Sequence, residues 1–378
     1  YGGRAENRAR FACEGIAAIR EKVGPDFPIT LRFSGCDYLQ GGITIEDSCC
    51  QAPLFVAAGA DALHISASAS ETTEWQFLSY LFPFGAIVNL AEAVKKVVNV
   101  PVITVGKIVD PLHAERILEE GKADFIAIGR ALFADPDWPD KAKEGHLDDI
   151  RHCIYCNNCL YYFSYAVLYH YGHPDAKRSP FAGATCTVNP ELLREKDFVI
   201  KPAPSPKKVM IIGGGLAGME AARVLAERGH KVSLYEKSDR LGGQWNIVVQ
   251  QPGKEEWSEV SQRLIQGLDK GAVRVTLNEE VSRYFVEKEK PDAVVVATGA
   301  VPLKPPVPGV DNKNVVHATE VFIKKAQVGQ RVVVVGGRLE GMEVANFLAG
   351  QGKKVSLVTR SELGGKTGNR IDGDLYRV

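Results

Sequence analysis

Along the first third of the chain, helix-spaced apolar positions alternate with short, nearly continuous apolar runs. A helical pattern from Glu6 to Val23 leads to the run Ile29 to Phe33, and a second, Thr44 to Ala57, leads to Ala62 to Ile65. A helix from Ala86 to Val97 precedes Val102 to Val105, and one from Pro111 to Glu120 precedes Phe125 to Ile128. Helix followed by buried strand, repeated in this way, predicts a parallel sheet covered by helices. Several strands end in polar or glycine signals: Arg32 and Ser34, His64 and Ser66, Gly106-Lys107, Gly129-Arg130. In a β/α barrel these carboxyl ends form the active face, and the loops after the last two strands commonly take a phosphate. If the four strands are the last four of eight, Lys107 and Arg130 fall where that phosphate would sit; the alternative is two solvated loop cations.

The last third carries a different pattern. Lys208 to Ile212 reads as a strand, Gly213-x-Gly215-x-x-Gly218 opens a helix through Ala222, and a second strand, Lys231 to Tyr235, ends at Glu236, 23 positions beyond Gly213. Strand, glycine turn, helix and terminal acid together form a dinucleotide fingerprint, in which Glu236 accepts hydrogen bonds from the adenosine ribose and Ala217 and Lys237 flank the ligand. The glycines let the backbone approach a pyrophosphate at a helix N-terminus, where free N–H groups favour anions. The pattern repeats 123 residues on: Arg331 to Val335, then Gly336-Gly337-Arg338-Leu339-Glu340-Gly341, then a strand ending at Thr359-Arg360. Arg338 replaces the middle glycine, either clamping a phosphate or blocking the site. Arg360, near the place of the ribose-binding acid, favours a 2′-phosphate and hence NADPH, or is a solvated strand-end cation. Between these regions, Cys153-x2-Cys156-x2-Cys159 crowds three thiols into seven residues, with Cys186 available as a fourth. Three plus one suits a [4Fe-4S] cluster better than the paired spacing of structural zinc sites. Cys13, Cys36, Cys49 and Cys50 show no ligand spacing and are expected to be buried small side chains.

Composition narrows the picture. With 378 residues the chain exceeds one core, and Pro202-Ala203-Pro204-Ser205-Pro206 marks a linker. Lys+Arg and Asp+Glu both number 46, so no charge imbalance points to nucleic acid. No apolar stretch approaches the roughly 20 residues of a membrane span, and no signal peptide is visible. Eight cysteines are too few for a disulfide scaffold in a chain of this length, which suggests a reducing, cytoplasmic setting. The first Met is Met210, so the chain reads as an internal piece of a longer polypeptide.

Tyr1-Gly2-Gly3-Arg4-Ala5-Glu6-Asn7-Arg8-Ala9-Arg10-Phe11, with Gly106-Lys107 and Gly129-Arg130-Ala131-Leu132-Phe133-Ala134-Asp135-Pro136, resembles the second half of an old yellow enzyme barrel. The cysteines, with the last inside Cys186-Thr187-Val188-Asn189-Pro190, resemble those of the trimethylamine dehydrogenase and 2,4-dienoyl-CoA reductase group. Gly242-Gly243-Gln244-Trp245-Asn246 and Ala297-Thr298-Gly299 resemble the FAD domain of the same reductases. The resemblance implies an α/β organisation in four parts: residues 1–150, the C-terminal half of an FMN-binding TIM (β/α)8 barrel; 151–205, an iron-sulfur segment and linker; 206–325, a Rossmann-like FAD domain; and 326–378, the start of an NAD(P)H-binding domain. It implies that Arg32 stabilises negative charge on reduced FMN, that Gly106, Lys107, Gly129 and Arg130 hold its phosphate, that Gly243, Gln244, Thr298 and Gly299 approach FAD, and that Gly336 and Gly341 approach NAD(P)H.

Two features depart from the family. The 26 residues between Cys159 and Cys186 exceed its spacing and include Tyr161, Tyr162, Tyr165, Tyr169 and Tyr171. The reductase branch places a histidine after strand six, where this chain has Glu71 ahead of Pro83-Phe84-Gly85-Ala86-Ile87, leaving Glu71, Glu74 and Tyr80 as acid/base candidates. The implied activity is reduction of an activated C=C bond in a small unsaturated acid or acyl-CoA, by a protein that is allowed to be a homo-oligomer. The rivals are an amine dehydrogenase passing electrons to a carrier protein and a non-catalytic, zinc-stapled scaffold.

Overall fold

The computed structural model of the chain describes residues 1–160, 184–360 and 363. The described residues divide into two compact units, one comprising residues 1–160 and 184–193, the other residues 194–360 and 363. The tyrosine-rich segment between Cys159 and Cys186 lies almost wholly outside the described residues, as do those after 363.

In the first unit, four parallel strands β1 (Thr30–Ser34), β2 (Ala62–Ser66), β3 (Val102–Thr104) and β4 (Phe125–Ile126) pair in sequential order. Helices Ala5–Val23, Ile45–Ala57, Val88–Lys95 and Pro111–Glu119 connect or precede them. The expected elements are present, the third helix and the fourth strand being shorter than the sequence pattern predicts. Local signals explain several starts. Thr44 and Asp47 form a reciprocal capping box at helix Ile45–Ala57. Asp110 accepts from Leu112 N at 2.9 Å just before Pro111 opens the next helix. Side chains alternate along β1 and β2: Leu63 and Ile65 bury among Phe55, Leu90, Ala91 and Val94, each such side chain contributing about 2 kcal/mol. Arg32, His64 and Ser66 therefore occupy the opposite face.

In the second unit, β5 (Lys208–Ile212), β6 (Lys231–Tyr235), β7 (Arg274–Thr276) and β8 (Ala293–Val296) form a parallel sheet ordered β7-β6-β5-β8. The strand order reverses direction beside β5, the switch point at which open α/β sheets bind ligands. Helix Leu216–Glu227, longer than the glycine pattern alone predicts, packs Met219 and Ala222 against Ile211 and Leu234. Farther along, β9 (Arg331–Val335) and β10 (Lys354–Val358) pair in parallel around helix Leu339–Gly350. No helix among the described residues is long and apolar enough to cross a membrane.

Candidate functional site

Two glycine turns in the second unit have matching backbones. Gly213 (φ 110°) donates to Tyr235 O, and Gly336 (φ 120°) donates to Val358 O, each at 2.8 Å. A Cβ on Gly218 would lie 1.9 Å from Gly213 O, and one on Gly341 would lie 1.8 Å from Gly336 O. These positions require glycine because the helix begins directly against the turn. The middle position is open in both: Gly215 (φ −74°, ψ 178°) and Arg338 (φ −85°, ψ −178°) share an extended backbone that any residue adopts. Arg338 thus leaves the backbone of the turn intact.

At the end of β6, Glu236 accepts from Gly214 N (2.6 Å), Ser238 N (2.9 Å) and Ser238 Oγ (2.7 Å). Burial works to raise its pKa, but these hydrogen bonds prevail and hold it below the usual carboxylate value. The end of β8 completes this turn, since a Cβ on Gly213 would meet Ala297 O at 2.3 Å. Gly242 N donates to Gly214 O at 2.8 Å, Gly243 lies against Gly215, and the Gln244 amide donates to Ala300 O. Thus Gly242–Gln244 and Ala297–Gly299 gather round the first turn as the resemblance implies, with Lys237 and Thr298 exposed beside it. In the second turn, Gly337 faces Thr359 as Gly214 faces Glu236. The acid's place is therefore held by neutral Thr359, and Arg360 corresponds to Lys237, a one-residue correction to the sequence reading.

In the first unit the candidate residues are reached through side chains. Arg32 and His64 are register partners on β1 and β2, with Arg32 Nη1 3.2 Å from His64 Nε2. Burial, and then the Arg32 charge, lower the His64 pKa to about 4, so the imidazole is neutral near pH 7 and accepts from the guanidinium. Lys107 (φ 52°) follows Gly106, is 6% exposed, and donates to Tyr80 O at 3.1 Å and Phe82 O at 2.5 Å. Arg130, just after Gly129, donates to Leu78 O at 2.7 Å and to Asn157 Oδ1. Glu71 is exposed in the turn after β2. Tyr80 contributes backbone atoms, its N donating to Tyr155 O at 3.1 Å. Glu74 lies in the short helix Thr73–Gln76.

Arg130 also lines a recess together with Cys153, Cys156, Cys159 and Cys186. Two asparagines, each 2% exposed, hold the segments that bring the four cysteines there. Asn157 Nδ2 donates to Phe77 O at 2.9 Å. Asn189 Nδ2 donates to Phe133 O at 2.9 Å, and its Oδ1 accepts from Arg151 Nη1 at 2.8 Å. Burial pushes the Cys153 thiol up to about 12 and that of Cys159 to about 11, with Arg130 opposing in both cases; burial also raises Cys186. Such thiols give up their protons most readily to a metal centre. Among the described residues no three His, Cys, Asp or Glu side chains converge on a position for a single metal ion. Four thiols lining one recess are a donor set of the kind that holds zinc or an iron-sulfur cluster.

None of the eight cysteines is paired in a disulfide; Cys13, Cys36 and Cys49 are half-buried, while Cys50 is exposed and departs from the expected burial. The sequence marked His64 only as a strand-end polar residue and did not single out Tyr155, Asn157, Asn189 or Thr359 as site residues. Asn157 and Asn189 stand inside the cysteine segments, but no periodicity distinguishes a pinning asparagine from a turn asparagine.

The NADH:flavin oxidoreductase / NADH oxidase family matches residues 1–149, and the pyridine nucleotide-disulphide oxidoreductase family matches residues 207–371. The chain is 42% identical over 364 residues to an NADH oxidase of Thermoanaerobacter brockii, covering 95% of this chain and 54% of the relative. It is 37% identical over 377 residues to a cinnamate reductase of Clostridium sporogenes, covering 95% and 54%. Its fold matches a 2-naphthoyl-CoA reductase in complex with 2-naphthoyl-CoA, with a TM-score of 0.88 and 32% identity, over 100% of this chain and 55% of the other. The chain spans about half the length of the curated relatives it matches. Joining both domain types in this order, it belongs to the NADH:flavin oxidoreductase family of flavoenzymes, in the group of 2,4-dienoyl-CoA reductase and trimethylamine dehydrogenase.

Proposed function

We propose that the full-length protein is an NAD(P)H-dependent reductase of an activated C=C bond in an enoate or an enoyl- or dienoyl-CoA. The recess lined by Cys153, Cys156, Cys159 and Cys186, beside Arg130, carries the redox reading. The cinnamate reductase and 2-naphthoyl-CoA reductase relatives support the substrate class. When bound, NAD(P)H would supply hydride to FAD, a [4Fe-4S] cluster would relay single electrons, and FMN would supply hydride to the β-carbon of the substrate while an acid protonates the α-carbon.

The chain's own residues bind and orient. Four thiolates hold the cluster. Gly106, Lys107, Gly129 and Arg130 serve the phosphate of FMN, in the second half of a β/α barrel. Arg32, oriented by neutral His64, places a guanidinium where negative charge develops on the flavin ring. The turn at Gly213–Gly218 and Glu236 receive FAD, and the turn at Gly336–Gly341 receives NAD(P)H. Thr359 in place of an acid removes repulsion toward a 2′-phosphate, with Arg360 adjacent, which favours NADPH. Glu71 and Tyr80 are the proton-delivery candidates on this chain. Eight thiols, none in a disulfide, suit a reducing cytoplasm.

Iron, acid-labile sulfide and flavin analysis of the anaerobically purified full-length protein tests the proposal. About four iron and four sulfide per chain, with both FMN and FAD, is the expected result. Zinc without sulfide would refute it.

A further inference from the structure

The loop that carries the first three cysteines is joined to the candidate phosphate cations by several independent contacts. Tyr155 lies between Cys153 and Cys156, is 4% exposed, and adopts φ 50°, a left-handed conformation that a bulky side chain rarely takes. Its ring meets both cations, with Arg130 Cζ 4.5 Å and Lys107 Nζ 5.5 Å from the ring centroid. Its carbonyl accepts from Tyr80 N at 3.1 Å, while Lys107 in turn donates to Tyr80 O at 3.1 Å. Asn157, between Cys156 and Cys159 and also left-handed at φ 57°, accepts from Arg130 and donates to Phe77 O. Backbone strain concentrated in two buried residues persists where the surroundings over-determine it, and such sites are commonly functional. Here the surroundings are the loop 77–82 and the two cations.

We infer that Tyr155 and Asn157 are positioning residues that make the cysteine loop a wall of the FMN phosphate site, so that filling the cysteine recess and retaining FMN are thermodynamically coupled. The inference rests on the reading of Arg130 and Lys107 as phosphate-binding cations. Its physical content is simple. Ligation draws Cys153, Cys156 and Cys159 to fixed positions, which fixes the two residues between them and hence the aim of Arg130. An arginine already held in place loses less side-chain freedom when the phosphate arrives. Reciprocity follows: whatever factor the filled recess adds to FMN affinity, FMN must add to retention of the metal.

FMN affinity of the flavin-stripped full-length protein, titrated by quenching of free FMN fluorescence, tests the inference without recourse to turnover. Tyr155→Gly suits the left-handed backbone and removes only the ring, so the loop can keep its path. It should weaken FMN several-fold, while Tyr155→Phe, which keeps the ring, should restore wild-type affinity. Asn157→Ala should weaken FMN about tenfold, within the usual range of coupling between sites. A measurement that needs no substitution accompanies these: chelating the iron from the wild-type protein should weaken FMN by a comparable factor, and stripping FMN should speed iron loss to a chelator. Arg130→Ala separates the two levels of argument. If it leaves FMN affinity unchanged, the phosphate reading fails and the coupling with it. If it weakens FMN while Tyr155→Gly, Asn157→Ala and iron removal all leave affinity unchanged, the phosphate reading stands and the coupling is overturned.

Discussion

In the nucleotide-binding unit the candidate site is backbone from contiguous stretches, whereas in the barrel-like unit it is side chains reaching one another across 27 to 80 residues of sequence, as Arg130 reaches Asn157 and Asn157 reaches Phe77. The difference teaches where each kind of site is vulnerable. A turn made of N–H groups fails when a Cβ enters it and is indifferent to changes at open positions. A pocket made of anchored cations and thiols tolerates backbone change poorly as well, but its chemistry lies in charges whose partners come from distant loops. The two glycine turns show that a single backbone can be given different chemistry by a few side chains around it: Gly215 against Arg338, Glu236 against Thr359.

The largest effect should come from the backbone site. Gly218→Ala forces a Cβ to within 1.9 Å of Gly213 O and should cost about 3 kcal/mol or more, with loss of FAD. Gly215→Ala enters open space and should cost less than about 1 kcal/mol. Thermal unfolding and flavin content of the two variants decide this, and equal destabilisation would break the distinction between packed and open glycines. Next, Glu236→Ala leaves the Gly214 N–H without its carboxylate, at a cost of about 2 kcal/mol. FAD content should fall while FMN stays bound; parallel loss of both flavins from folded protein would contradict the assignment.

Thr359→Glu sharpens the comparison between the two turns by giving the second the acid of the first. The ratio of kcat/KM for NADH to that for NADPH should rise about tenfold in the full-length enzyme, roughly 1.4 kcal/mol. No change in that ratio would remove position 359 from the ribose site.

The smallest effect belongs to the Arg32–His64 pair. Its folded pKa of about 4 lies below the ordinary histidine value of 6.5, so the unfolded chain binds the proton more readily. Stability is thus unaffected above about pH 6.5 and falls as the pH drops toward 4. His64 is half-buried, so after solvent screening the loss should be at most about 1 kcal/mol. His64→Gln should flatten that part of the profile of melting temperature against pH, and an unaltered profile would count against the pair.

Much of the fold was legible in advance because it is written in local patterns. The spans of β5, β6 and β9 match their apolar runs, and helix Ile45–Ala57 begins at the cap that Thr44 supplies. The strand Phe125–Ile126 is shorter than its apolar run because such a run does not say how many residues find a partner strand, nor that they are buried: Phe125 is exposed. The same limit explains Arg360. Distance along the sequence located the strand end only approximately, whereas the contact between Gly337 and Thr359 identifies the residue that faces the turn.

The sequence alone determined which residue types were available and where the backbone must turn: glycines at 213, 218, 336 and 341, three thiols at a spacing of three, and an acid at the end of β6. These are legible because their physical requirements act within a few residues. Tertiary structure decided the rest. It set neutral His64 against Arg32 by strand register, gave Asn157 and Asn189 their carbonyl and cation partners, and turned Arg130 toward both the cysteine recess and the loop 77–82. The reason is that a buried amide or guanidinium must find hydrogen-bond partners wherever the fold brings them, and those partners lie on segments that no local pattern connects.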